Sequence, residues 1–220
     1  NFDGSKNFLG GFYPPYAVFN DQSFLKTLAL KEIRCGLYEI LKMAIIKDKM
    51  LFILIEESYI DFFKKQFNGT TDKISYEATQ YMMEELEKNL FEADLKRLVD
   101  FGHTFSPFIE IFSSYEIPHG ETVGIDILIS SFISFNRNIL SKVGFDKIVS
   151  LIKLIGFTKK HTLPKQKDLY DSLDEIRKHR AKNLNLVLPS EVGKAIFTDD
   201  CSYAEIKKAY EFLMSTNLFN

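Results

Sequence analysis

From about residue 30 onward, apolar residues recur at helical spacing. Residues 32–48 predict one helix, with Leu37, Ile40, Leu41, Met43, Ala44, Ile45 and Ile46 as its apolar positions. Residues 51–67 predict a second, closed by Asn68-Gly69 as a C-terminal stop. Residues 75–89 predict a third, with Glu84, Glu85, Glu87 and Lys88 as a solvated face. Residues 92–100 lead into a stretch dense in motifs, followed by a short apolar helix over 104–112. Residues 122–136 are apolar nearly all round, which predicts a buried central helix. Gly144, Gly156 and Pro164 break the text beyond it, and 167–180 is amphipathic. Residues 185–188 and 194–197 alternate around Pro189-Ser190-Glu191-Val192-Gly193, the pattern of a hairpin. Ser202 with Glu205 three residues on reads as a capping box for a last helix. Before residue 30 the pattern differs. Residues 16–20, between Pro14-Pro15 and Asp21, predict a strand, and a short helix follows around 24–28. The fold class expected is mostly α.

Composition narrows the function classes. A chain of 220 residues, 45% hydrophobic, is long enough to bury a sizeable core. The net charge is −2 with both signs interspersed, so no basic face points to nucleic acid and no polybasic patch to a membrane surface. No apolar run has membrane-spanning length, and no signal peptide is seen. Phenylalanine is abundant, at 21 residues, and tryptophan absent, which predicts a phenylalanine-rich core. Cys35 and Cys201 share no motif spacing and read as buried thiols of a reducing, cytoplasmic compartment.

The chemistry concentrates between residues 100 and 126. Asp100-Phe101-Gly102-His103-Thr104-Phe105-Ser106-Pro107 is followed by Pro118-His119-Gly120-Glu121-Thr122-Val123-Gly124-Ile125-Asp126. Two of the four histidines lie here, each beside a glycine and each at the start of an apolar run. Either they cap two helices, or they converge as neutral imidazole ligands on a zinc-like metal, which needs about three protein ligands. Upstream, Glu39 and Lys42 share one face of an otherwise apolar helix. They are either a surface ion pair or a charged pair buried for a purpose, since burial is costly without a partner. His179-Arg180 closes the amphipathic segment. That pair either meets a phosphate, which suits the arginine fork, or complements the helix dipole. His161 belongs to no motif and reads as a surface residue.

Five motifs in order carry a resemblance that spans the whole chain. They are Gly4-Ser5-Lys6-Asn7 running on to Tyr13-Pro14-Pro15, Asp21-x-x-Phe24-Leu25-Lys26-Thr27-Leu28, Gly36-x-x-Glu39-x-x-Lys42, Gly102-His103-Thr104-Phe105 and His119-Gly120-Glu121-x-Val123. Together they resemble the sugar phosphate cyclases, the dehydroquinate synthase superfamily. The resemblance implies that residues 1–30 are the tail of an N-terminal NAD-binding α/β domain. It makes residues 31–220 the C-terminal helical domain that binds metal and substrate. The doubly wound sheet with its glycine-rich loop would precede residue 1; the chain has no Gly-x-Gly-x-x-Gly, so it reads as a fragment that is inactive by itself. It also implies Glu39, His103 and His119 as ligands of one zinc or cobalt ion. Lys42 and Asp100 would face the substrate, and His179 and Arg180 its phosphate. Phe24, Thr27 and Leu28 would contact the adenine end of NAD, with Lys6 and Asn7 toward the nicotinamide. A homodimer is the expected assembly.

Three positions depart from dehydroquinate synthase itself: Asp100 stands for an asparagine, Pro107 for a histidine, and Met82 for a lysine that serves the substrate carboxylate. Asp-Phe-Gly-His-Thr-Phe-Ser-Pro resembles instead the branch that cyclises sedoheptulose 7-phosphate, the 2-epi-5-epi-valiolone and desmethyl-4-deoxygadusol synthases. A heptulose phosphate has no carboxylate, so a lysine buried for one would be an unpaired charge. The implied reaction oxidises a substrate hydroxyl transiently at NAD, eliminates phosphate, returns the hydride and closes a C7 carbocycle by an aldol step. Alternatives are 3-dehydroquinate synthase itself, a glycerol-type metal-dependent dehydrogenase, and a non-catalytic cyclase fragment. Glu39 and Gly-His-Thr-Phe argue against the dehydrogenase, and the complete Glu-His-His set against loss of metal binding.

Overall fold

Hydrophobic periodicity translates into helices almost throughout. A computed structural model describes residues 9–11, 13–91, 93–179 and 183–219. The helices are α1 (Leu30–Lys47), α2 (Lys49–Phe63), α3 (Gly69–Glu87), α4 (Ser106–Phe112), α5 (His119–Asn136), α6 (Lys142–Ile155), α7 (Gln166–His179) and α8 (Tyr203–Ser215). A hairpin of β1 (Leu186–Glu191) and β2 (Lys194–Thr198) sits between the last two. The fold class is mostly α, as the pattern predicts.

Local chemistry sets the breaks. Asp48 ends α1 and caps α2 by accepting from the Met50 amide at 2.6 Å; its other oxygen accepts from Tyr81 at 2.6 Å, tying the corner to α3. The Asn68-Gly69 stop is corrected by the structure. Helix α2 ends earlier, at Phe63, and Asn68 opens α3 instead, with its side chain accepting from the Thr70 and Thr71 amides in a capping box. Asparagine serves either end of a helix, and here the following Thr71 decides. The Ser202–Glu205 capping box forms as read. β1 pairs antiparallel with β2 through Pro189, so the strand runs further than the alternation of 185–188 implies.

Residues 16–20 form no strand. The only sheet among the described residues is the β1–β2 hairpin, so this segment has no neighbour to pair with, and Tyr16 and Phe19 are fully exposed. Residues 22–27 form a short 3-10 helix, capped by Asp21.

Helix α5 is the central element. Fourteen of its eighteen residues are buried. Isoleucine and leucine, not phenylalanine, fill most of the core among the described residues. Several phenylalanines lie at its margin instead: Phe132 and Phe135 are only partly buried and stack on Phe212 and Phe145. Helix α1 crosses α5 at touching distance. A β-carbon on Gly120 would lie 2.3 Å from the Cys35 Cα, and one on Gly124 would lie 2.5 Å from the Tyr38 ring. Only hydrogen at these two positions lets the backbones approach so closely, and this approach sets Glu39 of α1 beside His119 of α5.

Candidate metal centre

Three elements deliver one donor each. Glu39 stands in the middle of α1, His119 is the first residue of α5, and His103 lies in the turn before α4. That turn is fixed from both sides. Gly102 takes φ +76°, a conformation costly for a residue with a side chain. Asp126 of α5, fully buried, accepts from the Phe105 and Ser106 amides at 2.5 and 3.0 Å and from Ser130 at 2.9 Å. A carboxylate of α5 therefore caps the start of α4.

The donor atoms of Glu39, His103 and His119 lie within 4.8 Å of one another. Glu39 Oε1 is 3.1 Å from His119 Nε2 and 3.7 Å from His103 Nε2. The same oxygen is buried and makes no well-angled hydrogen bond. A buried acceptor pointing between two imidazole nitrogens is a place a cation could fill. Two imidazoles and one carboxylate suit zinc or cobalt, and three protein ligands leave a position for substrate or water. The His103 and His119 side chains are 28% and 45% exposed, so the open side faces solvent.

Each histidine has its other nitrogen engaged. His103 Nδ1 lies 3.3 Å from the Phe101 carbonyl, and His119 Nδ1 lies 2.7 Å from Glu110 Oε1. Both rings thus offer Nε2 to the centre. Lys42 is 2% exposed, with its Nζ 2.7 Å from Glu39 Oε2. The surface-pair alternative for Glu39 and Lys42 is excluded by that burial. Burial works to raise the Glu39 carboxyl, but His119, Lys42 and His103 outweigh it and hold it down at about 2. Burial and the nearby Lys42 push His103 down to about 4. Glu110, then Glu39, lift His119 to about 9. At neutral pH His103 is therefore a neutral imidazole, and a metal at the centre would take the place of the Nε2 proton on His119.

Asp100 is 5% exposed and takes the Arg97 guanidinium at 2.8 Å; of the pair, Arg97 is the more exposed. Lys96 lies over the Phe197 ring at 5.0 Å. Phe24 and Leu28 line a cleft of about 620 Å³ that reaches Glu39 and includes Met82. Thr27 instead turns its hydroxyl onto the Phe24 carbonyl at 2.9 Å. A second cavity of about 500 Å³, lined by Cys35, Tyr115 and Pro118 among others, lies against Glu39 and His119. Helix α7 ends at His179. Lys6, Asn7 and Arg180 lie outside the described residues.

His161 corrects the sequence reading. It is 3% exposed, and its Nε2 lies 2.5 Å from Glu121 Oε2. Glu121, also buried, accepts from the amide and hydroxyl of Thr158 and sits 3.9 Å from Arg34. Sequence reasoning missed Glu110, Asp126 and this pair. The signal was present: Glu110 and Asp126 are lone carboxylates in apolar helical runs, costly to bury without partners.

These features define the class of domain: a helical scaffold that brings an imidazole, imidazole and carboxylate set together beside a buried ammonium. The chain belongs to the 3-dehydroquinate synthase C-terminal family, whose pattern matches residues 36–180. It is 37% identical over 198 residues to 2-epi-5-epi-valiolone synthase of Streptomyces glaucescens, covering 89% of this chain and 50% of that one. It is 31% identical over 213 residues to 3-dehydroquinate synthase of Campylobacter jejuni subsp. doylei, covering 94% and 60%. A solved 2-epi-5-epi-valiolone synthase from Streptomyces hygroscopicus subsp. jinggangensis, with NAD+ and Zn2+ bound, superposes with a TM-score of 0.93 at 34% identity, over 98% of this chain and 60% of that one. The chain thus spans about half to three fifths of the length of these relatives.

Proposed function

We propose that this chain is the metal- and substrate-binding part of a sugar phosphate cyclase that converts sedoheptulose 7-phosphate, with loss of phosphate, to a C7 cyclitol of the 2-epi-5-epi-valiolone type. The observation that carries the proposal is the convergence of Glu39, His103 and His119 around one buried carboxylate oxygen of Glu39, with the Lys42 ammonium against the same carboxylate. Glu39, His103 and His119 would hold one Zn2+ or Co2+, which supplies Lewis acidity and a template for two neighbouring hydroxyls. NAD would lie in the cleft lined by Phe24 and Leu28, with Lys6 and Asn7 toward its nicotinamide, and supplies reversible hydride acceptance.

The chain's own residues then have separate tasks. Lys42 favours negative charge developing on the bound hydroxyl oxygen, being fixed and nearly dry. Asp100 orients Arg97, and the pair meets the polar end of the substrate. His179 and Arg180 supply cationic charge for the phosphate. Met82, on the wall of the cleft, offers no charge to a carboxylate, which favours a heptulose phosphate. The similarity to Campylobacter 3-dehydroquinate synthase keeps the carboxylate-bearing substrate as the second reading. A nucleotide-binding half, two-fold assembly and a cytoplasmic setting complete the proposal and rest on the resemblance.

Two measurements test it. Mass spectrometry of the native chain is expected to find one zinc or cobalt ion, lost on Glu39→Ala or His103→Ala. The complete enzyme, offered both substrates together, is expected to release phosphate from sedoheptulose 7-phosphate. Turnover of the carboxylate substrate alone would return the chain to 3-dehydroquinate synthesis.

A further inference from the structure

Glu110 is not among the proposed ligands, yet it is only 3% exposed. It stands on α4 in the run Ile109-Glu110-Ile111. Its Oε1 lies 2.7 Å from His119 Nδ1 and 3.5 Å from the Thr122 hydroxyl. Thr122 itself donates to the His119 carbonyl at 2.7 Å, closing the first turn of α5 on the same residue. His119 Nε2 points the opposite way, to Glu39 at 3.1 Å. Imidazole has two nitrogens, and one ring can ligate through either. A carboxyl oxygen fixed at Nδ1 keeps the proton there, sets the ring plane, and leaves the Nε2 lone pair for the centre.

We propose that Glu110 is a positioning residue for the metal centre, one that fixes His119 as an Nε2 ligand and strengthens its donation. His103 has the weaker arrangement, a backbone carbonyl at 3.3 Å from its Nδ1. The two histidines therefore differ: His119 carries the stronger donor, and loss of its partner weakens the centre more than loss of any contact to His103 Nδ1. Asp126 completes the arrangement from a distance, since α5 both presents His119 and caps the α4 start on which Glu110 depends.

This inference rests on the metal reading, and its test is chosen so that the two fail separately. The native chain is loaded with Zn2+ and its affinity measured by competition with a chromogenic chelator. Glu110→Ala is expected to bind about 10–100-fold more weakly, and Glu110→Gln, which still accepts a hydrogen bond but lacks charge, between the two. Thermal unfolding of each variant shows whether the fold is kept. Should Glu110→Ala not fold, nitrogen-15 spectra of the zinc-loaded native chain decide: the His119 ring proton is expected on Nδ1, in a low-field hydrogen-bonded position. A proton on Nε2, or a folded Glu110→Ala chain with native zinc affinity, overturns the proposal. A native chain that takes no zinc overturns the metal reading as well.

Discussion

Replacing Gly120 by alanine tests whether the close approach of α1 and α5 builds the centre. The added β-carbon would lie 2.3 Å from the Cys35 Cα, 2.5 Å from its carbonyl oxygen and 2.6 Å from its Cβ. Two of these neighbours are backbone, so no rotamer change relieves the clash. Reaching the lower edge of ordinary contact, 3.4 Å, requires α1 and α5 to separate locally by about 1 Å. Metal–ligand distances tolerate only about 0.2 Å. Glu39 rides on α1 one turn beyond Cys35, and His119 precedes Gly120, so the displacement falls directly on two of the three donors. Overpacking of this kind costs about 1–3 kcal/mol. Gly120→Ala is expected to lower the urea midpoint accordingly and to weaken zinc binding at least 10-fold. Gly144→Ala is the control: its only close contact would be the end of the Leu140 side chain at 2.9 Å, which can move, with Ser141 Oγ at an ordinary 3.4 Å. If Gly120→Ala matched the native chain in both urea midpoint and zinc affinity, the helix crossing would not be what sets the donors.

Other expectations follow from the same geometry. Lys42→Met is expected to cut turnover of the complete enzyme by about 10²–10³, the scale for loss of one fixed charge-stabilising donor, while zinc content stays at one per chain. His161→Ala removes a partner of the buried Glu121 carboxylate and should cost about 3 kcal/mol, with His161→Gln recovering part of it in thermal unfolding. For Asp126, burial lifts the carboxyl to about 6 from 3.8, against the pull of the amides it accepts from. A raised acid favours folding most below its unfolded value, so this contribution is full below about pH 4 and lost as pH passes 6. Urea titrations at pH 4.5 and 7 should show the native chain losing about 2 kcal/mol relative to Asp126→Asn over that range, and parallel curves would refute the burial argument.

Much of this was legible because period and chemistry agree. The α5 pattern, apolar nearly all round, is what a central helix requires, whereas the charges of Glu39 and Lys42 on an apolar stripe left a surface pair open and only the ordered motifs pointed to a metal set. The misses have physical causes. Residues 16–20 have a strand's composition, but strands need partners, and among the described residues none is near. Asn68 can serve either kind of helix end, and Thr71, three residues later, shows that it serves the start of α3. His161 lies forty residues from Glu121, and nothing local records that the two meet. Phenylalanine abundance says how much aromatic surface exists, not where it packs; part of it gathers between α5, α6 and α8, where Phe132 stacks on Phe212 and both meet Phe145.

Helix α5 poses the sharper question of why a central helix carries so many buried polar groups. Glu121, Thr122, Asp126, Ser130, Ser131 and Ser134 are all at most 1% exposed. An apolar helix of the same shape would cost less to bury. Partners explain the pattern for all but Ser131, whose buried hydroxyl makes no hydrogen bond. Glu121 takes the loop after α6 through Thr158 and His161, and Thr122 closes on the His119 carbonyl. Asp126, held by Ser130, takes the start of α4, and Ser134 donates to the Pro189 carbonyl of β1 at 2.5 Å. Glu121, Asp126 and Ser134 each fix α5 to a different element at one register. An apolar interface tolerates a slide along the helix axis, because one methyl contact replaces another. A slide here leaves several buried groups unpaired, each at a cost of about 1–3 kcal/mol. His119 is therefore held in place because its helix is tied to other elements at points along its length, which is what a metal site's narrow tolerance would require.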